Sequence, residues 1–354
     1  MRQYHSLTIA DIVEETADAR RVRIDVPEDL RDTFSFQPGQ HLPLAVTLDG
    51  EELRRTYSIC SAPGEWPIEL GIRVQPGGRF SAAALGGLRS GDKIRVMPPF
   101  GRFHADVDAT ATRHYVGFAA GSGITPILSM IRTVLRDEPG SRFTLFYGNR
   151  KQGTTMFVEE LFSLKNQYPD RLQMQFIFSR EEQEFPIAEG RLDGGKAKEL
   201  IAHFCRNGLP DEIFLCGPDT MIDEVTSALT DSGVDATCIH SERFGAPRTV
   251  SRPDDKSAGE QQAEITVIMD GHRKSFSMSA DDGNIVDAAA SKGVELPYSC
   301  KGGVCATCRT HVRQGDVTMA LNYGLEPWEV EAGFVLACQS TPKSDEVVLD
   351  YDKA

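Results

Sequence analysis

The sequence predicts a multi-domain protein of the β and α/β classes: an antiparallel β-barrel, then a doubly wound parallel sheet, then a small β-grasp domain. Three observations carry this expectation. The first 108 residues are short β-prone runs broken by frequent turn signals; residues 109–245 alternate strands with helices; and cysteines crowd into residues 300–338, behind a two-strand hairpin. A chain of 354 residues has room for two or three domains, each burying its own core.

In residues 1–108 the turn signals are Pro38-Gly39, Asp49-Gly50, Pro63-Gly64, Pro76-Gly77-Gly78 and Ser90-Gly91-Asp92. Strands punctuated this often suit a barrel or sandwich. In residues 109–245 the expected strands are His114–Ala119, Phe143–Tyr147, Leu172–Phe178, Glu212–Cys216 and Ala236–Ile239. Between them the helical stretches are Ile127–Arg136, Val158–Gln167, Ala197–Phe204 and Met221–Asp231. The first strand runs into Gly121-Ser122-Gly123-Ile124-Thr125-Pro126, with a helix expected from the proline. Its glycines let backbone amides approach a phosphate, but G-x-G-x-x-P departs from the dinucleotide fingerprint at the third position. Residues 246–262 are polar, aperiodic and rich in Pro, Gly and charge, as a linker is. In residues 263–354, Ile265–Met269 and Lys274–Met278 flank Asp270-Gly271 as a hairpin, and a short helix follows over Asn284–Ser291.

Composition excludes several function classes. Lys and Arg number 38 against 52 for Asp and Glu, and a net charge of −14 disfavours nucleic acid and anionic membrane surfaces as partners. The N-terminal residues lack the apolar core of a secretory signal, and 18 apolar residues never run together. The expectation is a soluble, cytoplasmic protein.

Eight cysteines are too few for a disulfide scaffold of this length. Cys60, Cys205, Cys216 and Cys238 stand singly in apolar surroundings, as small core hydrophobes do. Cys300, Cys305 and Cys308 follow C-x4-C-x2-C, and Cys338 comes after a further 29 residues. That is the plant-type [2Fe–2S] arrangement, with three thiolates from one loop and a fourth from a later segment. A zinc site built on Cys305, Cys308 and His311 is the competing reading. It lacks the second paired-ligand knuckle that structural zinc uses. The histidines form no H-E-x-x-H or facial triad, so no catalytic metal is expected.

Four further motifs occur in order along the chain. Arg55-Thr56-Tyr57-Ser58 resembles the R-x-Y-S flavin motif of the ferredoxin–NADP⁺ reductase superfamily. Gly71-Ile72-Arg73-Val74 with Gly77-Gly78-Arg79-Phe80-Ser81 resembles its second flavin segment. Gly121–Pro126 resembles its G-x-G-x-x-P turn, and Cys216-Gly217-Pro218 its C-G-P motif. With the cysteine pattern, the likeness covers nearly the whole chain: a flavin reductase fused to a C-terminal plant-type ferredoxin. Three tracts, Met97–Phe103, Tyr147–Arg150 and Asn322–Trp328, are similar to those of reductase subunits serving phenylacetyl-CoA epoxidases.

The resemblance implies roles that each residue's chemistry can fill. Arg55 would meet the FAD pyrophosphate, Tyr57 would pack on the flavin, and Ser58 would place its hydroxyl near flavin N5. Gly78 and Ser81 would complete the phosphate cradle, with Arg73 a second phosphate or ribityl contact. Gly121, Gly123 and Thr125 would take the dinucleotide. Cys216, Gly217 and Pro218 would lie beside the nicotinamide, and Phe244 would cover the flavin. Ser179 and Arg180 resemble the segment that holds a 2′-phosphate, which favours NADPH with NADH possible. Electron counting links these parts. A nicotinamide gives up electrons only in pairs, a [2Fe–2S] cluster accepts them singly, and a flavin between them converts one into the other. The expected path is NADPH to FAD to [2Fe–2S], then to the oxygenase component of a multi-subunit di-iron enzyme acting on phenylacetyl-CoA. Two alternatives stand beside it: a reductase for a 3-ketosteroid or aromatic-ring hydroxylase, and a non-catalytic iron–sulfur electron carrier.

Overall fold

The computed structural model describes residues 3–48, 50–75, 78–206, 208–244 and 262–353. They form two compact units, one spanning Tyr4–Phe244 and one holding the chain beyond Phe244. The expected linker lies outside the described residues except for Gln262, and so does Gly77.

The larger unit opens with strands β1 (His5–Thr16), β2 (Ala19–Asp25), β3 (His41–Leu48), β4 (Glu51–Ser58) and β5 (Ile68–Arg73). Helix α1 (Arg79–Gly86) and strand β6 (Lys93–Val96) complete this part. The sheet order is β4-β3-β6-β1-β2-β5, antiparallel throughout. A bridge between Ile59 and Leu70 brings the chain after β4 to β5, joining the two edges. Alternate residues fill the interior: Leu7 and Ile9, Val22 and Ile24, Leu42 and Leu44, Ile68, Leu70 and Ile72, Ile94 and Val96. This period of two makes the sheet one-sided, each such burial contributing about 1.5–3 kcal/mol.

Five strands follow, separated by helices: β7 (His114–Ala120), α2 (Ile124–Asp137), β8 (Arg142–Asn149), α3 (Val158–Gln167), β9 (Leu172–Phe178), α4 (Gly194–Phe204), β10 (Glu212–Gly217), α5 (Asp219–Asp231) and β11 (Ile239–Arg243). They form a parallel sheet in the order β11-β10-β7-β8-β9. Helices cover it, so β7 and β8 are buried along nearly their whole length. The strand order reverses between β7 and β10, and ligands of such sheets bind at that reversal, outside the carboxyl ends. Two expectations need correcting. The last strand starts at Ile239, because Ala236–Cys238 is a short 3-10 turn whose Thr237 N–H donates to the Asp235 carboxylate at 2.9 Å. Helix α2 starts at Ile124, with Pro126 inside the first turn, where its missing N–H leaves no bond unmade.

The smaller unit contains β12 (Ala263–Met269), β13 (His272–Met278), α6 (Ile285–Ser291), β14 (Arg309–Gln314), β15 (Val317–Met319), α7 (Pro327–Glu331), β16 (Phe334–Leu336), β17 (Ser340–Pro342) and β18 (Glu346–Asp350). Its mixed sheet runs β13-β12-β18-β14-β16, beside a β15–β17 ribbon. The β12–β13 hairpin turns on Asp270 (φ 53°) and Gly271 (φ 72°), the paired positive φ of a type I′ turn. Asn284 caps α6 by accepting the Asp287 N–H at 3.0 Å. Among the described residues, no helix is long and apolar enough to cross a membrane.

Candidate functional site

The R-x-Y-S motif occupies the end of β4. Arg55 is exposed and its Nη1 donates to the Arg54 carbonyl at 2.6 Å. Tyr57 is half-buried against Phe80 of α1, ring centroids 5.5 Å apart, and burial pushes its hydroxyl pKa up despite the opposing charge of Arg55. In the first turn of α1, the Ser81 hydroxyl accepts the Gln75 N–H and donates to the Gly78 carbonyl, each at 3.1 Å. A Cβ on Gly78 would fall 2.8 Å from that hydroxyl oxygen, so only glycine leaves the turn this tight. In this geometry Ser81 shapes the turn, its one proton already donated to a carbonyl. Arg73 donates to the Thr154 carbonyl, and its Nε lies 3.5 Å from an Asp18 oxygen. Its Nη1 is 3.3 Å from where a Cβ on Gly121 would stand, so Arg73 lies against the nucleotide turn.

The nucleotide turn fills the strand-order reversal. Gly121 takes a left-handed φ of 56°, and the Tyr147 hydroxyl donates to its carbonyl at 2.9 Å. A Cβ on Gly123 would stand 2.0 Å from the Cys216 carbonyl oxygen, a distance no side chain tolerates. This glycine therefore lets the ends of β7 and β10 close on each other. Thr125 donates to the Ser122 carbonyl at 2.9 Å, and Gly217 and Pro218 lead from β10 into α5. Ser179 and Arg180 are exposed just past the carboxyl end of β9, beside Arg150, whose carbonyl accepts the Arg180 N–H at 3.0 Å.

These two halves meet at a residue that no sequence motif singles out. Glu242 on β11 is opposite Cys216 in the strand register. One of its oxygens accepts the Ser58 hydroxyl at 3.1 Å, and the other lies 3.3 Å from Nδ1 of His41, itself opposite Ser58 on the β3–β4 pair. Nε2 of His41 is buried with no hydrogen-bond partner. Burial pushes the Cys216 thiol well above its usual range, and the Glu242 charge adds to the effect, so Cys216 is a neutral thiol. Phe244 packs against the nucleotide-side core. Four strands thus bring Ser58, His41, Glu242 and Cys216 together across 201 residues of chain between His41 and Glu242. The arrangement fits a flavin and a nicotinamide: an aromatic pair, a positioned hydroxyl, and turns that glycine alone permits.

In the smaller unit the four cysteines associate in pairs, Cys300 with Cys305 and Cys308 with Cys338. Within each pair the thiol of one hydrogen-bonds the other. That bond brings Cys300 and Cys338 below the ordinary thiol range, while the same bond together with burial pushes Cys305 and Cys308 well up. Backbone amides reach the sulfurs: Gly302 N–H to Cys300 at 3.2 Å, Cys305 N–H to Cys300 at 3.4 Å and Cys300 N–H to Cys305 at 3.5 Å. Thr307 Oγ1 lies 3.1 Å from Cys305 Sγ. Left-handed φ values at Lys301 (51°), Gly303 (72°) and Ala306 (49°) curl the loop to make this possible. Two sulfurs for each of two irons suits a [2Fe–2S] cluster, and amide donors to sulfur are the usual support of such a site.

Comparison with known proteins agrees with each part. The oxidoreductase FAD-binding domain family matches residues 6–105, the oxidoreductase NAD-binding domain family residues 118–227, and the 2Fe-2S iron–sulfur cluster binding domain family residues 267–343. The chain is 45% identical over 99% of its length, and 99% of the relative's, to a subunit of the 1,2-phenylacetyl-CoA epoxidase of Escherichia coli. It belongs to the reductase components of multicomponent oxygenases. A 3-ketosteroid-9-alpha-monooxygenase ferredoxin reductase component from Rhodococcus rhodochrous is 31% identical, over 98% of this chain and 96% of the relative. The solved structure of phthalate dioxygenase reductase superposes with a TM-score of 0.61 at 25% identity, covering 98% of each chain. The protein is therefore an oxidoreductase that takes electrons from a nicotinamide and carries FAD and a [2Fe–2S] cluster.

Proposed function

We propose that this reductase passes electrons from NADPH to the oxygenase component of a di-iron phenylacetyl-CoA epoxidase in the cytoplasm. The observation that supports this most is the near-complete alignment with the epoxidase subunit, more identical than the ketosteroid relative by 14 percentage points (45% against 31%). The exposed Arg180, with Arg150 beside it, is suited to the extra phosphate of NADPH.

When bound, FAD would supply hydride acceptance and the [2Fe–2S] cluster one-electron transfer. The chain's own residues bind and orient. Arg55 would meet the FAD pyrophosphate, Tyr57 and Phe80 would present an aromatic wall, and Gly78 with Ser81 would shape the phosphate cradle. Gly121, Gly123 and Thr125 receive the dinucleotide at the start of α2. Ser58 directs its hydroxyl under the hold of Glu242, and His41 braces the other carboxylate oxygen. Cys216, kept neutral by burial, offers the nicotinamide a compact apolar neighbour, with Gly217, Pro218 and Phe244 closing the pocket wall. Cys300, Cys305, Cys308 and Cys338 hold the irons.

Reconstitution tests the reading. Purified reductase mixed with the epoxidase's oxygenase component, phenylacetyl-CoA, NADPH and oxygen should form epoxide, with a higher kcat/KM for NADPH than for NADH. Reduction of an artificial acceptor without epoxide formation would overturn the choice of partner.

A further inference from the structure

Hydride passes only when two carriers, held by different sheets, meet in one geometry. Whatever fixes the spacing between the barrel and the parallel sheet therefore fixes the rate. Both sheets belong to the Tyr4–Phe244 unit, and an assembly of three arginines and three glutamates joins them. Arg132 of α2 reaches Glu69 of β5 at 3.0 Å and Glu160 of α3 at 2.8 Å. Arg21 of β2 pairs with Glu15 of β1 at 3.0 Å and faces Glu160 at 3.4 Å and Glu69 at 3.9 Å. Arg23 donates to Glu69 at 2.9 Å. The Arg132, Glu69, Glu15 and Arg21 side chains are only 10–14% exposed. Burial alone would discharge Glu69, but the arginines outweigh it and hold its carboxyl below the ordinary range. Burial likewise opposes the charge on Arg132, and Glu160 and Glu69 override it.

The assembly also holds the residue that precedes α3. Glu15 accepts the N–H of Phe157 at 2.6 Å, and the Arg21 guanidinium lies 4.8 Å from the centre of the Phe157 ring. Phe157 is fully buried at a left-handed φ of 59°, a conformation costly for an aromatic residue and kept only where the surroundings impose it. Its ring, Met156 and Thr125 all close on Gly71 of β5. A Cβ there would stand 2.8 Å from Thr125 Cγ2, 2.9 Å from Phe157 Cζ and 3.0 Å from Met156 Cε. Replacing buried ion pairs with apolar side chains of similar volume often leaves stability unchanged, so a stability role alone does not account for the four buried charges at its centre.

We propose that Gly71, Phe157 and the Arg132–Glu69 assembly are a distance stop: the charges draw α2 toward the barrel, and the bare backbone at Gly71 sets how far the nucleotide turn can approach. These are positioning residues. The inference rests on the reading that Gly121–Thr125 holds the dinucleotide.

Anaerobic rapid mixing with NADPH tests it in the holoprotein, through the long-wavelength charge-transfer absorbance that reports nicotinamide stacked on flavin. Arg132→Met should keep FAD and cluster content, and Gly71→Ala, which lies in the proposed flavin segment, is compared with wild type at matched FAD occupancy. The charge-transfer band should weaken, and flavin reduction should slow by about tenfold or more, as small misplacements of reacting groups do. Arg132→Lys, which keeps one charged contact, should fall between Arg132→Met and wild type. Should Gly71→Ala not fold, the two Arg132 variants decide the matter. An undiminished band and rate in FAD-replete Arg132→Met would overturn the proposal. Failure of wild-type protein to form the band or oxidise NADPH would instead refute the dinucleotide site itself.

Discussion

The two units of this protein encode their sites in opposite ways. Three of the four cysteines proposed as cluster ligands lie within nine consecutive residues, Cys300–Cys308, on one curled loop. The proposed hydride site, Ser58, His41, Glu242 and Cys216, is assembled by sheet topology from β3, β4, β10 and β11, and no stretch of sequence contains it. Local encoding makes a site legible and brittle. Distributed encoding hides it but spreads the consequences of each substitution.

Substitutions at either site sharpen this contrast. The largest effect is expected at the loop: Cys308→Ser should abolish the [2Fe–2S] cluster, seen as loss of iron and labile sulfide, while FAD and its reduction by NADPH persist. Arg55→Ala should lower FAD content sharply and leave cluster content intact, because guanidinium–phosphate pairing is the strongest single contact proposed there. Normal flavin content in that variant would break the assignment. Glu242→Gln should retain FAD yet slow flavin reduction by about ten- to a hundredfold, since Ser58 and His41 lose a charged partner that orients them.

Smaller effects probe the scaffold alone. His114 is buried between β7 and β8, with Nε2 2.9 Å from Thr144 Oγ1, and burial assisted by Arg142 lowers its pKa to about 4. Its folded value lies below the unfolded value of 6.5, so the unfolded chain binds the proton first as the pH falls. Its contribution is complete above about pH 6.5 and shrinks by up to about 3 kcal/mol toward pH 4. Denaturant melts of His114→Gln across that range should show a flatter pH dependence than wild type. Smallest of all, Asp193→Ala removes the carboxylate that accepts the Lys196 N–H at the start of α4. It should cost about 1 kcal/mol with no change in cofactor content.

What sequence could reveal follows the same division. Most elements of the parallel sheet were legible because buried apolar runs alternate with helical periodicity. The displaced last strand was not, since Asp235 turns the backbone before β11 through a side-chain bond that periodicity ignores. The four cysteines proposed as ligands stand out by their spacing, whereas their pairing two by two needs the fold of the loop. Glu242 passed unassigned although it sits two residues before Phe244. Its importance comes from lying opposite Cys216 across a strand pair, and a single chain does not announce register. Arg73 and Ser81 were found by motif, but their contacts turn them toward the nucleotide turn and the local backbone. The ion assembly around Glu69 had no sequence signal at all, because its members are scattered from Glu15 to Glu160 over five elements of the barrel and the parallel-sheet layer.

The central claim is that one polypeptide converts electron pairs into single electrons, and an anaerobic reductive titration of the purified holoprotein tests it most directly. Uptake of about three electrons per chain is expected, two bleaching the flavin and one the cluster, with NADPH alone able to reduce both. Saturation at two electrons, with the cluster absorbance unchanged, would contradict it.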